Sequence, residues 1–319
     1  MAQRNAKTTE EKHESIRFES KSSAEQQSGP IGFRKVPPVI KRLFDTFPLY
    51  TYESAPLPAN RLLDSEKEEK PTVFLYSTEL RSIHPESLAM LTLFKLSGLQ
   101  DSVSFVSASP HSSPGDGPFP YIFLSRQNPS DASVERFIAF NSQSFHSWLS
   151  TECPGFPRYN AFLESPIFTL ISISLHDAYI YTLFMILPNF KSIVQDQIGF
   201  NIGRNTGRGL LPYLLARQEQ FAHSKAFERR KLSGKSILAA SRDALDALES
   251  LLKAQNGVLS NGISQPGFLE ATLFSYIYPI LHLGLVDASG TGDAELVSIV
   301  KDHPLIVEAS EKVCSLAWS

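Results

Sequence analysis

Residues 265–285, QPGFLEATLFSYIYPILHLGL, constrain this chain more than any other stretch. Glu270 and His282 are its only ionisable side chains, so a helix here has no broad face for water. Such a helix is buried inside a larger protein or spans a membrane. Pro279 inside it removes one backbone donor and predicts a kink. Gln265-Pro266-Gly267 is a loop signal that sets the start. A buried central helix needs other helices around it, and the other segments must supply them.

The chain has 319 residues, 42% of them hydrophobic, enough for a large core or two domains. A net charge of −3 gives no global attraction to nucleic acid or anionic lipid. Two cysteines, Cys153 and Cys314, make neither a disulfide framework nor a metal cluster and suit a reducing compartment. The first residues lack the apolar run of a secretory signal. Glu10, Glu11, Glu14, Glu19 and Glu25 interrupt the basic residues, whereas mitochondrial presequences are acid-poor.

Residues 1–35 are polar and mixed in charge, and are expected to be a disordered tail. Residues 36–71 form an arm and linker. The arm is dense in aromatics and proline, with IKRLFDTFPLYTY at 40–52, and Pro56, Pro58 and the charge run 64–70 follow. It reads as an extension over the protein's own surface or as a docking arm, with Arg42, Phe44, Asp45, Phe47, Pro48 and Tyr50 as the candidate partner-binding residues.

Residues 72–150 carry an ordered set of signals. Residues 72–76, TVFLY, are a short apolar strand; 84–96 have helical spacing and stop at Gly98; 103–106 are a second strand. Strand, helix, strand implies a parallel pair. A Ser/Pro/Gly loop leads to Pro120, placed directly before a third strand, and residues 135–140 return as a hairpin partner. Asn141-Ser142 then opens a helix, with side chains suited to capping it. This order resembles the thioredoxin-like half of the glutathione S-transferase fold. The resemblance implies a cis peptide bond before Pro120, a form that only about 5–6% of X–Pro bonds adopt.

Residues 153–157, CPGFP, read as the inter-domain linker, and 158–319 as an all-helical domain. Residues between Pro166 and Pro188 are long and apolar enough to suggest a membrane span. His176 and Asp177 sit at the centre, and an Asp there costs about 2.5–3.5 kcal/mol on insertion scales, so a buried bundle helix is expected instead. No nucleophile elbow accompanies this pair, so it reads as structural and not catalytic.

Residues 203–235 are basic. Arg204, Arg208, Arg217, Arg229 and Arg230, with Lys225, Lys231 and Lys235, face only Glu219 and Glu228. They form a solvated helix face or a contact for anionic lipid or an acidic partner. Aromatics are not interleaved for base stacking, so nucleic acid is not expected. Gly203, Gly207 and Gly209 lack the strand before and the Gly-Lys-Ser/Thr after that a phosphate loop requires.

Two stretches together resemble the metaxin family. QPGFLEA at 265–271, with Leu273 and Phe274, is similar to the start of the metaxins' central helix, where Glu270 replaces their usual Asp. IKRLFDTFPLYTY is similar to the N-terminal signature of the smaller metaxin-like subunit of the mitochondrial sorting and assembly machinery. The resemblance implies a glutathione S-transferase-like fold (α/β plus all-α) without enzyme activity, cofactor or metal. It implies a peripheral subunit on the cytosolic face of the mitochondrial outer membrane. Its expected partners are the β-barrel subunit, the larger metaxin-like subunit, β-barrel precursor proteins and the membrane surface. The alternative is a glutathione-dependent transferase. Asn141 and Ser142 would then hold the γ-glutamyl end, and Ser77 or Thr78 would stand where the thiol is activated.

Overall fold

The computed structural model describes residues 70–108, 119–124, 137–195, 197, 210–259 and 265–318. The expectations for the tail and the arm, including Arg42, Phe44, Asp45, Phe47, Pro48 and Tyr50, lie outside these residues, as do Arg204 and Arg208.

Four strands form one mixed sheet: β1 (Thr72–Leu75), β2 (Ser104–Ser107), β3 (Tyr121–Phe123) and β4 (Phe137–Ala139), in the order β2-β1-β3-β4. β1 pairs parallel with β2 and antiparallel with β3, and β3 pairs antiparallel with β4. The chain crosses from β1 to β2 through α1 (Pro85–Leu96). The Phe119–Pro120 bond, just before β3, is cis. β1 reads as a continuous apolar run because both its faces are covered. Val73 and Leu75 join the main core, while Phe74 packs with Tyr121 and Phe123 on the other face. Sheet order, crossover and proline position together make a thioredoxin-like half.

Ser142 caps α2 (Gln143–Glu152), which closes this half. Among the described residues the remaining elements are helices, apart from one isolated bridge between Val286 and Asp293, and the architecture is glutathione S-transferase-like. α3 runs from Ala161 to Met185 with π-helical turns at Ile171–Leu175 and Tyr181–Met185. It starts earlier than the proline boundary suggests, because Asn160 Oδ1 accepts from Phe162 N–H at 3.1 Å and caps it. Among the described residues it is the one helix long and apolar enough to cross a membrane. Its second half is buried, yet Phe162 is 87% exposed and Ile173 51%, so the expected buried bundle helix holds only for that second half. α4 begins at Leu187–Asn189 and continues through the π-turn Phe190–Val194. α5 (Leu210–Arg229), α6 (Gly234–Ala254), α7 (Phe268–His282), α8 (Glu295–Lys301) and α9 (Pro304–Trp318) complete the order.

α7 is the central helix. Every residue from Phe268 to Ile277 is buried. It packs chiefly on α1 of the sheet half and on α9. Lys95 at the end of α1 sits 3.9 Å from the ring centre of Trp318 in α9, closing the third side of this triangle. One apolar core therefore runs from Val73 in β1 to Ile306 in α9. Glu270 fixes the start of α7. Its carboxylate accepts from Gly267 N–H at 2.8 Å and from Leu259 N–H at 2.7 Å. The methylene that distinguishes Glu from Asp gives it reach across the loop.

Candidate functional site

The first candidate is the junction where β1, the start of α1 and the cis-proline loop meet. α1 needs an acceptor for its first free N–H groups. His84 supplies it, with Nδ1 accepting from Ser87 N–H at 3.2 Å. The imidazole stacks on Tyr76 at 5.9 Å between centroids and meets the edge of Phe119 at 5.4 Å. Three rings thus fill the junction. Burial, aided by the nearby His176, lowers the His84 pKa to about 4, so the ring is neutral at pH 7 and offers no positive charge to a thiolate. Of the two hydroxyls expected here, Ser77 Oγ accepts from Glu79 N–H at 3.1 Å in a local turn, and Thr78 is exposed.

The second candidate is Asn141-Ser142. Ser142 Oγ accepts from Phe145 N–H at 3.1 Å as the cap of α2, and it donates its proton to Ala139 C=O at 2.7 Å. Asn141 has φ +67°, a left-handed conformation that Asn tolerates. Its Oδ1 is buried without a hydrogen-bond partner. Asn141 lines a groove with Gln143, His146, Ser147, Arg158 and Tyr159. Within it the His146 ring stacks on Tyr159 at 4.2 Å, and burial lowers its pKa to about 4.

The third cluster ties the two halves together. Tyr179 Oη donates to Ile83 C=O at 3.2 Å, reaching from α3 to the loop before α1. His176 Nδ1 lies 3.2 Å from Tyr276 Oη on α7. Asp177 accepts from both terminal nitrogens of Arg230, at 2.8 and 2.5 Å. Burial lowers the His176 pKa and raises that of Glu86 to about 7. His176 and Asp177 point to different partners, so they do not act as an acid–base pair.

Arg230 pairs with Asp177 within the fold, and its side chain stays about half exposed. Arg217 and Arg229 are exposed on α5, Arg217 with its guanidinium 5.2 Å from the Phe190 ring centre. The structure brings Arg217, Arg229 and Arg230 onto one helix and the turn after it. Among the described residues, no three His, Cys, Asp or Glu side chains are grouped to hold a metal.

No protein-family model matches the chain, and no curated protein matches it. Among solved structures it is similar to a glutathione transferase from Burkholderia graminis, crystallised with two glutathione molecules per subunit. That alignment covers 83% of this chain and 93% of the other at 13% identity, with a TM-score of 0.43.

Several site residues give no local sign of their role. His84 stands at the start of a helical pattern, where Ser, Thr, Asp and Asn are the usual caps. Glu164 falls in an apolar run yet is only 4% exposed, and burial raises its pKa to about 7. A lone carboxyl in the mostly apolar stretch from Ala161 to Leu170 is the available signal for Glu164.

Proposed function

We propose that this chain is a non-enzymatic, peripheral subunit of the mitochondrial outer-membrane sorting and assembly machinery. It works on the cytosolic face, beside the β-barrel subunit and the larger metaxin-like subunit, and receives β-barrel precursors through their sorting signal. The observation that carries the non-catalytic reading is the Ser142 hydroxyl. Its proton goes to Ala139 and its lone pair to Phe145, which leaves no proton for a γ-glutamyl carboxylate. The neutral His84, which offers no positive charge to a thiolate, supports the same reading. The resemblance of residues 40–52 to the smaller metaxin-like subunit supports the choice of machinery.

Two measurements test this reading. Affinity purification of the tagged chain from outer membranes should recover the barrel subunit, and its absence removes the proposal. Glutathione conjugation by the purified chain should stay at the uncatalysed rate.

A second reading, a glutathione-using transferase, is favoured by one observation, the buried and partnerless Asn141 Oδ1 beside the groove. It could accept a hydrogen bond from a ligand's ammonium group. Conjugation activity lost in both Asn141→Ala and Ser142→Ala would establish this reading over the first.

A further inference from the structure

α5 turns one face inward. Ala216 and Phe227 are buried, and Gln220 Nε2 donates to Phe184 C=O at 2.6 Å. The opposite face carries Leu214, 51% exposed, and Phe221, 64% exposed. These are seven residues apart, about 10 Å along the axis and on the same side. Lys225 follows one turn later with its Nζ 5.5 Å from the Phe221 ring centre, and Arg229 one turn after that. From Arg217 to Lys235 there are six Lys or Arg side chains against Glu219 and Glu228, in a chain whose net charge is −3.

We propose that this face of α5 rests on a bilayer containing anionic phospholipids, with Leu214 and Phe221 entering the headgroup–acyl boundary and Lys225 and Arg229 meeting phosphates. The inference rests on the peripheral-subunit reading and gives that subunit a lipid contact of its own. Apolar anchors ringed by cations on a helix lying in the interface plane are the pattern of interfacial binding. Lys and Arg stems can lie along the apolar boundary while their heads stay in water. A single convex helix suits a planar, fluid surface, whereas a protein hot spot is built around a filled pocket. Lys225 is already paired with Glu228 at 2.7 Å, but both side chains are about half exposed and that pair is readily exchanged for a phosphate.

The test is co-sedimentation of the full chain with vesicles of phosphatidylcholine alone or with about 30 mol % phosphatidylglycerol. Anionic vesicles should bind it, and added salt should release it. Lys225→Gln and Arg229→Gln should each weaken binding about fivefold. Phe221→Ser should weaken it about tenfold. These side chains are exposed, so thermal melts should match wild type. Phe162→Ser, on the exposed half of α3, should leave binding unchanged. Equal binding to both vesicle types, no binding to either, or an equal loss in Phe162→Ser overturns the proposal. So does displacement of the protein from vesicles by soluble polyglutamate at equal charge, which would make the occupant an acidic peptide. Recovery of the barrel subunit is scored separately, so either reading can fail while the other stands.

Discussion

Glu270 holds two backbone donors with one carboxylate. It satisfies one backbone N–H at the start of α7 and a second at Leu259, eleven residues back. Glu270→Ala leaves both donors buried without an acceptor and should cost about 3 kcal/mol in urea unfolding. Glu270→Asp should keep the Gly267 bond, lose the Leu259 bond and cost about half as much. The buried titratable groups give a second prediction. Folded-state pKa values near 4 for His84 and His146 mean that the unfolded chain binds more protons below about 6.5. Stability from these two therefore falls as pH drops from about 6.5 towards 4. Glu86 and Glu164, raised to about 7, act in the opposite direction, because the unfolded chain ionises first. Their contribution is full at low pH and is lost as pH rises from about 4.5 to 7. His146→Gln should gain on wild type as pH falls through the first window, and Glu164→Gln as pH rises through the second, each by about 2 kcal/mol. Urea midpoints at three pH values check both, and parallel curves for variant and wild type would refute them.

At the scale of elements, α6 shows what periodicity alone conveys. Ile237, Leu238, Leu245, Leu248, Leu251 and Leu252 mark one apolar face in the sequence, and all but the half-buried Leu251 are buried in the structure. Its reciprocal cap sits just outside the periodic pattern. Ser233 Oγ accepts from Ser236 N–H at 3.1 Å, and Ser236 Oγ from Ser233 N–H at 2.9 Å. Ser233→Ala should cost about 1 kcal/mol, read as a lower melting temperature with α5 and α7 intact by hydrogen exchange. The parallel β1–β2 pair, the β3–β4 hairpin, the place of Pro120 and the buried α7 were legible because each follows from local composition and spacing, whereas the antiparallel β1–β3 pairing that joins the two pairs was not. Helix α8 was not: its seven residues are too few for a 3.6-residue period to show. Nor was the Arg230–Asp177 pair, whose partners lie 53 residues apart and meet only once α3 and α5 are packed. The two-sided character of α3 was hidden too, since exposed Phe162 and buried Leu175 look alike in sequence.

For the whole molecule, the arm and the folded body are separate questions. Deleting residues 39–52 should abolish recovery of the barrel subunit, with Phe44→Ala and Phe47→Ala each weakening association by about 2 kcal/mol. A deleted chain that folds and co-purifies at wild-type level would sink the docking-arm idea.

The packing of α1 on α7 has a consequence for synthesis. α1 ends at Leu96, and α7 does not begin until Phe268, roughly 170 residues later. At translation speeds of about 5–20 residues per second, β1 and α1 emerge from the ribosome roughly 10–30 s before the helix that covers α1. During that interval Leu88 has no Phe274 to pack against, and the α7-facing side of α1 is left uncovered. The order of genetic information here opposes the order of burial. A release of folding intermediates protected in α1 only after residue 282 has cleared the exit tunnel is the expected signature in arrested nascent chains.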